Sequence, residues 1–128
     1  MPENWVYAMK RDMQEIIPGL FLGPYNSASK SKLNTLLLHG ITHIICIRYG
    51  NESNVIKPNF PEKLIYLTVE MEDTMMQNII PHIIKCKDFI DQCLRNGGKC
   101  LVHSYFGVSR SPSIVVAYVM GKKSLTFV

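Results

Sequence analysis

Lys99-Cys100-Leu101-Val102-His103-Ser104-Tyr105-Phe106-Gly107-Val108-Ser109-Arg110-Ser111 is the stretch on which the reading of this chain turns. Residues 99–103 form a short apolar run of strand length after Gly97-Gly98. Residues 104–109 read as a loop, and a last helix extends to about Met120, with Pro112 in its first turn, where a missing N–H costs little. A strand-to-helix junction leaves the first-turn N–H groups without intrahelical partners, facing whatever sits above them. Gly107 permits the tight curvature that aims those groups inward, and Arg110 adds a planar guanidinium able to grip two phosphate oxygens. The expected site is therefore a nest for a phosphate-sized anion, built from residues 104–109 and Arg110. A lone Gly and Arg in a serine-rich turn would read as solvated. The coincidence of His103, the Gly-x-x-Arg-Ser frame, the strand before and the helix after favours the anion loop. It is not a Walker loop, because no Gly-Lys-Ser/Thr follows.

Working outward, the same strand and helix alternation recurs. Residues 41–47 and 64–69 are β-branched runs of strand length, the first candidates for buried parallel strands. Residues 29–39, with Leu33, Leu36, Leu37 and Leu38, predict a helix that stops at Gly40. Residues 78–94 place Ile79, Ile83, Cys86, Ile90 and Cys93 at helical spacing, with Pro81 in the first turn. Near the start, the apolar pieces around Pro18-Gly19 predict an edge hairpin or two edge strands. This order implies right-handed parallel crossovers and an α/β sandwich with a mainly parallel central sheet flanked by helices. Ligands in such sheets gather at the carboxyl ends of strands, and the loop after His103 is such a place.

The chain's 128 residues leave room for one domain. A net charge of +4 favours anionic partners only weakly and is too scattered for a nucleic-acid footprint. The longest clean apolar stretch, residues 114–120, is far short of the about 20 residues of a membrane span. Cys46, Cys86, Cys93 and Cys100 show no CxxC spacing and are expected to be small buried hydrophobes in a reducing cytoplasmic or nuclear setting. His39, His43 and His82 form no ligand pattern, and Trp5, Met75 and Met76 read as packing residues. No metal and no cofactor are expected.

The frame from His103 to Ser111 resembles the phosphate-binding loop of protein tyrosine and dual-specificity phosphatases, in which His-Cys is followed by five residues and Arg-Ser. The likeness continues through Ile17-Pro18-Gly19-Leu20-Phe21-Leu22-Gly23-Pro24, Gly40-Ile41-Thr42-His43-Ile44-Ile45, Asp88-Phe89-Ile90-Asp91 and Ala117-Tyr118-Val119-Met120. It covers roughly residues 5 to 120 and is similar throughout to the atypical dual-specificity phosphatases, in particular to pseudophosphatase members whose loop also lacks the cysteine. The resemblance implies a protein tyrosine phosphatase-like sandwich. It also implies an N-terminal extension over 1–13, a phosphatase-like domain over 14–120 and a tail over 121–128. In the family further helices follow the one that ends near Met120. Their absence here predicts a C-terminally truncated domain with part of its core cover missing.

The same resemblance implies roles. The cysteine thiolate of active members attacks phosphorus, and Ser104 stands in its place, a degenerate nucleophile position. Arg110 and the backbone of Tyr105, Phe106, Gly107, Val108 and Ser109 hold the phosphoryl group. Ser111 is the hydroxyl that eases departure of the thiolate, Asp73 lies where the family's general acid lies, and His103 supports the loop. A solvated loop aspartate would look the same as Asp73 in sequence. Tyr105 and Phe106 either stack on a phosphotyrosine ring or pack the loop on a helix.

A loop that lowers a cysteine from about 8.5 to below 7 makes a thiolate at neutral pH, whereas a serine hydroxyl starts several units higher and stays protonated. Turnover is expected to be lost while the N–H groups and Arg110 survive. The expected function is a catalytically inactive, phosphatase-like protein that binds phosphorylated Tyr, Ser or Thr. It would modulate signalling by competing with active phosphatases or by scaffolding. The implied partners are phosphorylated signalling proteins, kinases of the MAP kinase pathway among them, with no nucleic acid and no membrane. The alternatives are an active or residual phosphatase using Ser104, an engineered Cys-to-Ser trap, and a truncated product without phosphate function.

Overall fold

The computed structural model describes residues 13–48, 57–70, 80–104 and residue 118. Strands β1 (Gln14–Ile17) and β2 (Leu20–Pro24) are joined at Pro18-Gly19, and two 3₁₀ turns, Tyr25–Ala28 and Lys30–Lys32, lead into helix α1 (Leu33–Leu38). Then follow β3 (His43–Arg48), β4 (Ile65–Glu70), helix α2 (Ile80–Arg95) and β5 (Cys100–Ser104). The strands form one sheet in the order β1-β2-β5-β3-β4, parallel throughout except that β1 runs antiparallel to β2. The expected mainly parallel α/β sheet is observed, and β5 lies at its centre.

Alternation along the strands divides the core in two. Leu20, Leu22, Ile45, Ile47, Cys100 and Val102 point to the face covered by α2, which contributes Cys86, Ile90 and Cys93. Phe21, Ile44, Cys46 and Leu101 point to the other face, beneath Leu36 of α1. All four cysteines are buried free thiols, as small hydrophobes would be. Among the described residues no helix is long and apolar enough to cross a membrane.

Three sequence expectations need correction. The helix expected over residues 29–39 is only Leu33–Leu38; the residues before it wind as 3₁₀ turns, and neither the first turn of α1 nor its cap position carries an acidic or side-chain cap to extend it. Its end matches expectation: Gly40, at φ +78°, donates its N–H to the Leu37 carbonyl while Ile41 N–H reaches Leu36. The second correction concerns β2, which is interior rather than an edge, because β5 pairs along all of it from Leu20 to Pro24. Of strands β1 and β2, β1 alone is at an edge. The third is Ser104, expected to open the loop but found as the last residue of β5, paired with Pro24 and Ile47.

Helix α2 closes at Gly97-Gly98, where Gly98 N–H bonds the Cys93 carbonyl at 2.9 Å. Gly98 also touches the start of the sheet. A Cβ there would sit 2.4 Å from Thr42 Oγ1 and 3.1 Å from both the carbonyl oxygen and Sγ of Cys93. Thr42 Oγ1 cannot swing away freely, since it accepts from Lys99 N–H and donates to the Lys99 carbonyl. Gly98→Ala is therefore expected to cost about 2 kcal/mol, the usual scale of overpacking. Urea unfolding measures it, and an unchanged midpoint would show that the turn yields without loss.

Candidate functional site

The site is built on the carboxyl end of β5. Parallel pairing on both sides holds this strand, with Val102 opposite Leu22 and Ile45, and His103 opposite Gly23 and Cys46. Period-2 alternation puts His103 on the α1 side of the sheet, opposite to Val102, and brings it against Cys46, also on that side. His103 Nε2 lies 3.3 Å from Cys46 Sγ. Both side chains are buried.

Burial sets the charge of this pair. It lowers His103 to about 4 and raises Cys46 to about 12, against a smaller opposing pull from Arg48. At neutral pH the contact is a neutral imidazole beside a neutral thiol, not an ion pair. Cys46 is thus no surrogate nucleophile for the absent loop cysteine, because the thiol, not the thiolate, is the stable form. His103 Nδ1 is buried and has no hydrogen-bond partner among the described residues.

A cavity of about 320 Å³ opens beside His103 on the same face. Its walls come from three distant parts of the chain. Tyr25, Ser29 and Lys30 stand on the 3₁₀ turns after β2, Lys57 and Asn59 on the approach to β4, and His103 on β5. Asn59 Nδ2 donates to the Ala28 carbonyl at 2.9 Å and clips the first two walls together. None of the described residues that line it is acidic.

On the other face, residue 118, which follows the loop in sequence, is tied to α2. Tyr118 is buried in the α2-side core, and its hydroxyl donates to Asp91 Oδ1 at 2.5 Å. Asp91 Oδ2 in turn accepts from Lys87 Nζ at 3.0 Å. Burial, then the Asp91 hydrogen bond and charge, push the phenol up, so Tyr118 remains a donor. Tyr118 is thereby anchored to α2, the helix that covers this face of the sheet.

Of the residues expected from sequence, the structure brings His103 and the backbone of Ser104 to the end of the central strand. Asp73, Tyr105, Phe106, Gly107, Val108, Ser109, Arg110 and Ser111 lie outside the described residues, as do Trp5, Met75 and Met76. Sequence reasoning missed Lys30, Lys57, Asn59 and the pairing of Cys46 with His103. The cavity residues carry no local motif. The Cys46 contact had a signal in the alternation of the two strands, but only once β3 and β5 are known to be neighbours.

Residues 20–127 match the family model of the dual specificity phosphatase catalytic domain. The serine/threonine/tyrosine-interacting protein of mouse is 56% identical over 118 residues, 92% of this chain and 53% of that protein. The Arabidopsis thaliana dual specificity protein phosphatase 1B is 33% identical over 117 residues, 91% of this chain and 66% of that protein. Among solved structures, the human tyrosine phosphatase-like serine/threonine/tyrosine-interacting protein superposes with a TM-score of 0.85 at 54% identity, covering 89% of this chain and 76% of that one. DUSP15 superposes at 0.72 with 41% identity, covering 85% and 65%. The chain spans about half the length of the serine/threonine/tyrosine-interacting proteins it matches. A mainly parallel sheet with the loop motif at the end of its central strand, a catalytic-domain match over most of the length and these superpositions agree: the chain belongs to the dual-specificity phosphatase family, with that family's fold.

Proposed function

We propose that this chain is a catalytically inactive, phosphatase-like receptor that binds phosphorylated side chains and modulates signalling by competing with active phosphatases or by scaffolding. The observation that carries the reading is Ser104 as the last residue of the central strand, three positions before the Gly-x-x-Arg-Ser frame opens at Gly107, where an active member needs a cysteine. A hydroxyl there stays protonated at neutral pH, and the imidazole adjacent in sequence, His103, is buried, lowered to about 4 and so a poor proton acceptor. A neutral hydroxyl also spares a phosphate dianion the repulsion of a thiolate. Arg110 and the loop N–H groups supply the binding, while Asp73 and Ser111 are vestiges of turnover. The name of the mouse and human relatives, serine/threonine/tyrosine-interacting protein, describes interaction rather than hydrolysis and supports the same reading. Phosphorylated signalling proteins, kinases included, are the partners this chemistry would recognise.

The test is a phosphopeptide titration with a parallel phosphate-release assay. Binding without release, weakened at least tenfold in Arg110→Met, is the expected result, since a bidentate charged contact is worth about 1.5 to 3 kcal/mol. Phosphate release that disappears in Ser104→Ala would replace the receptor by a serine-dependent enzyme.

A further inference from the structure

We infer that Cys93 and Cys100 are a redox-modification site, at which a peroxide joins the two sulfurs in a disulfide that staples the end of α2 to the start of β5. The inference is independent of the receptor reading above.

The geometry singles out this pair among the four thiols. Cys93 lies in the last turn of α2, and Cys100 opens β5. Both side chains belong to the core on the α2 side of the sheet, and their thiols are hydrogen-bonded to each other. Backbone bonds hold the two ends of the connection in place: Gly98 N–H reaches the Cys93 carbonyl at 2.9 Å, and Cys100 N–H reaches the Gly19 carbonyl at 2.8 Å. Cys46 points to the opposite face of the sheet, against His103. Cys86 precedes Cys93 by seven helical residues, a rise of about 10.5 Å, beyond the roughly 7 Å that a disulfide spans between Cα atoms.

Chemistry and access point the same way. The hydrogen bond from Cys100 holds the Cys93 thiol below its ordinary value against burial, with Thr42 Oγ1, 3.8 Å from the sulfur, adding to the effect. The same bond, and then burial, push Cys100 well up. Cys93 is therefore the sulfur that carries a thiolate, the reactive form, and Cys100 keeps its proton. The Cys93 thiolate attacks one peroxide oxygen and breaks the O–O bond, which leaves a sulfenic acid on Cys93 and releases hydroxide. The Cys100 sulfur, giving up its proton, then displaces the sulfenic hydroxyl. Two thiols and one peroxide thus yield one disulfide and two waters, with both sulfurs oxidised and the peroxide reduced. Both side chains are buried, yet they lie beneath a turn in which Arg95, Asn96, Gly97 and Lys99 are exposed. Opening of that one turn, without global unfolding, admits the oxidant.

The experiment treats the full chain, at low concentration, with hydrogen peroxide and follows free thiols, intact mass and a tryptic map without reductant. Free thiols are expected to fall from four to two, and the monomer to lose the mass of two hydrogen atoms, both reversed by dithiothreitol. Trypsin cuts after Arg95 and Lys99, so the peptides that carry Cys93 and Cys100 stay together only through the disulfide. Cys93→Ala and Cys100→Ala should each abolish the loss of two thiols, and Cys46→Ala should retain it. The oxidised chain should melt about 5 °C or more above the reduced one, the scale of a short-loop disulfide in a small domain. Four thiols left after a treatment that fully oxidises a cysteine peptide, a bridge to Cys46 or Cys86, or a covalent dimer would overturn the site. A Cys93–Cys100 bridge that leaves the melting temperature unchanged or lowers it would overturn the staple. The tryptic map of the unaltered chain decides the pairing even where a variant fails to fold.

Discussion

Leu101→Ala should lower the stability of the domain by about 4 kcal/mol, near the upper end of the range for deletion of a buried leucine. Leu101 is fully buried as the second residue of β5, opposite Phe21 on β2 and Ile44 on β3. All three residues belong to the α1-side core, with Leu36 above them. The cost of a cavity depends on how far its walls can collapse, and here two of those walls belong to strands held by continuous parallel ladders. Collapse would have to come from the residues outside the ladders, Met13, Ala28, Leu64 and Leu36 of the 6-residue α1 among them. Urea unfolding reads the loss directly. A value below about 1.5 kcal/mol would show that this face of the sheet is loosely packed. Leu38→Ala is the control: Leu38 is 85% exposed, and its loss should stay within about 0.5 kcal/mol.

Acid should destabilise the protein in a window set by His103. The folded ring is held near 4 by burial, below the ordinary 6.5. In this window the unfolded chain binds a proton that the folded chain refuses, so the unfolded state is favoured as pH falls. The contribution of His103 is intact above about 6.5, shrinks by roughly 1.4 kcal/mol per pH unit, and is exhausted near 4. Between pH 7.5 and 5.0 the loss should be on the order of 2 kcal/mol. His43, also lowered by burial, acts in the same direction. Urea unfolding at the two pH values measures the total, and imidazole NMR isolates His103, whose ring should remain neutral at pH 5. A His103 ring titrating near 6.5, or flat stability over that interval, would refute the account. The consequence reaches function, because the residue that resists protonation adjoins Ser104.

The physical basis of what could be read from sequence is uneven. Strands β3 and β5 and helix α2 announced themselves because burial on both faces, or along one helical stripe, selects apolar residues at a fixed period. Strand β4 read as a strand from its β-branched run, although it lies at the edge of the sheet, with only Val69 buried, and not in the interior as expected. Their ends moved by a residue or two, as at Ser104, because ladder pairing to Pro24 and Ile47 extends a strand beyond its apolar run. The first helix was overestimated since four leucines imitate a longer amphipathic pattern, while the serines and lysines before them settle into 3₁₀ turns. The interior position of β2 was invisible: Pro18-Gly19 marks a turn in either case, and only the arrival of β5, 76 residues after Pro24 at its first residue Cys100, fills the second edge.

By itself the sequence determined a small, mainly parallel α/β domain, the membership of the loop motif in the phosphatase family's pattern, and a hydroxyl where that pattern has a thiol. These are local properties, set by periodicity, by turn chemistry and by the identity of one side chain. The tertiary structure alone decided the state of His103 and the composition of the cavity. A histidine's pKa follows from how completely neighbouring strands exclude water, and Lys30, Lys57 and Asn59 converge on one space only when β2, β4 and β5 are assembled in one sheet.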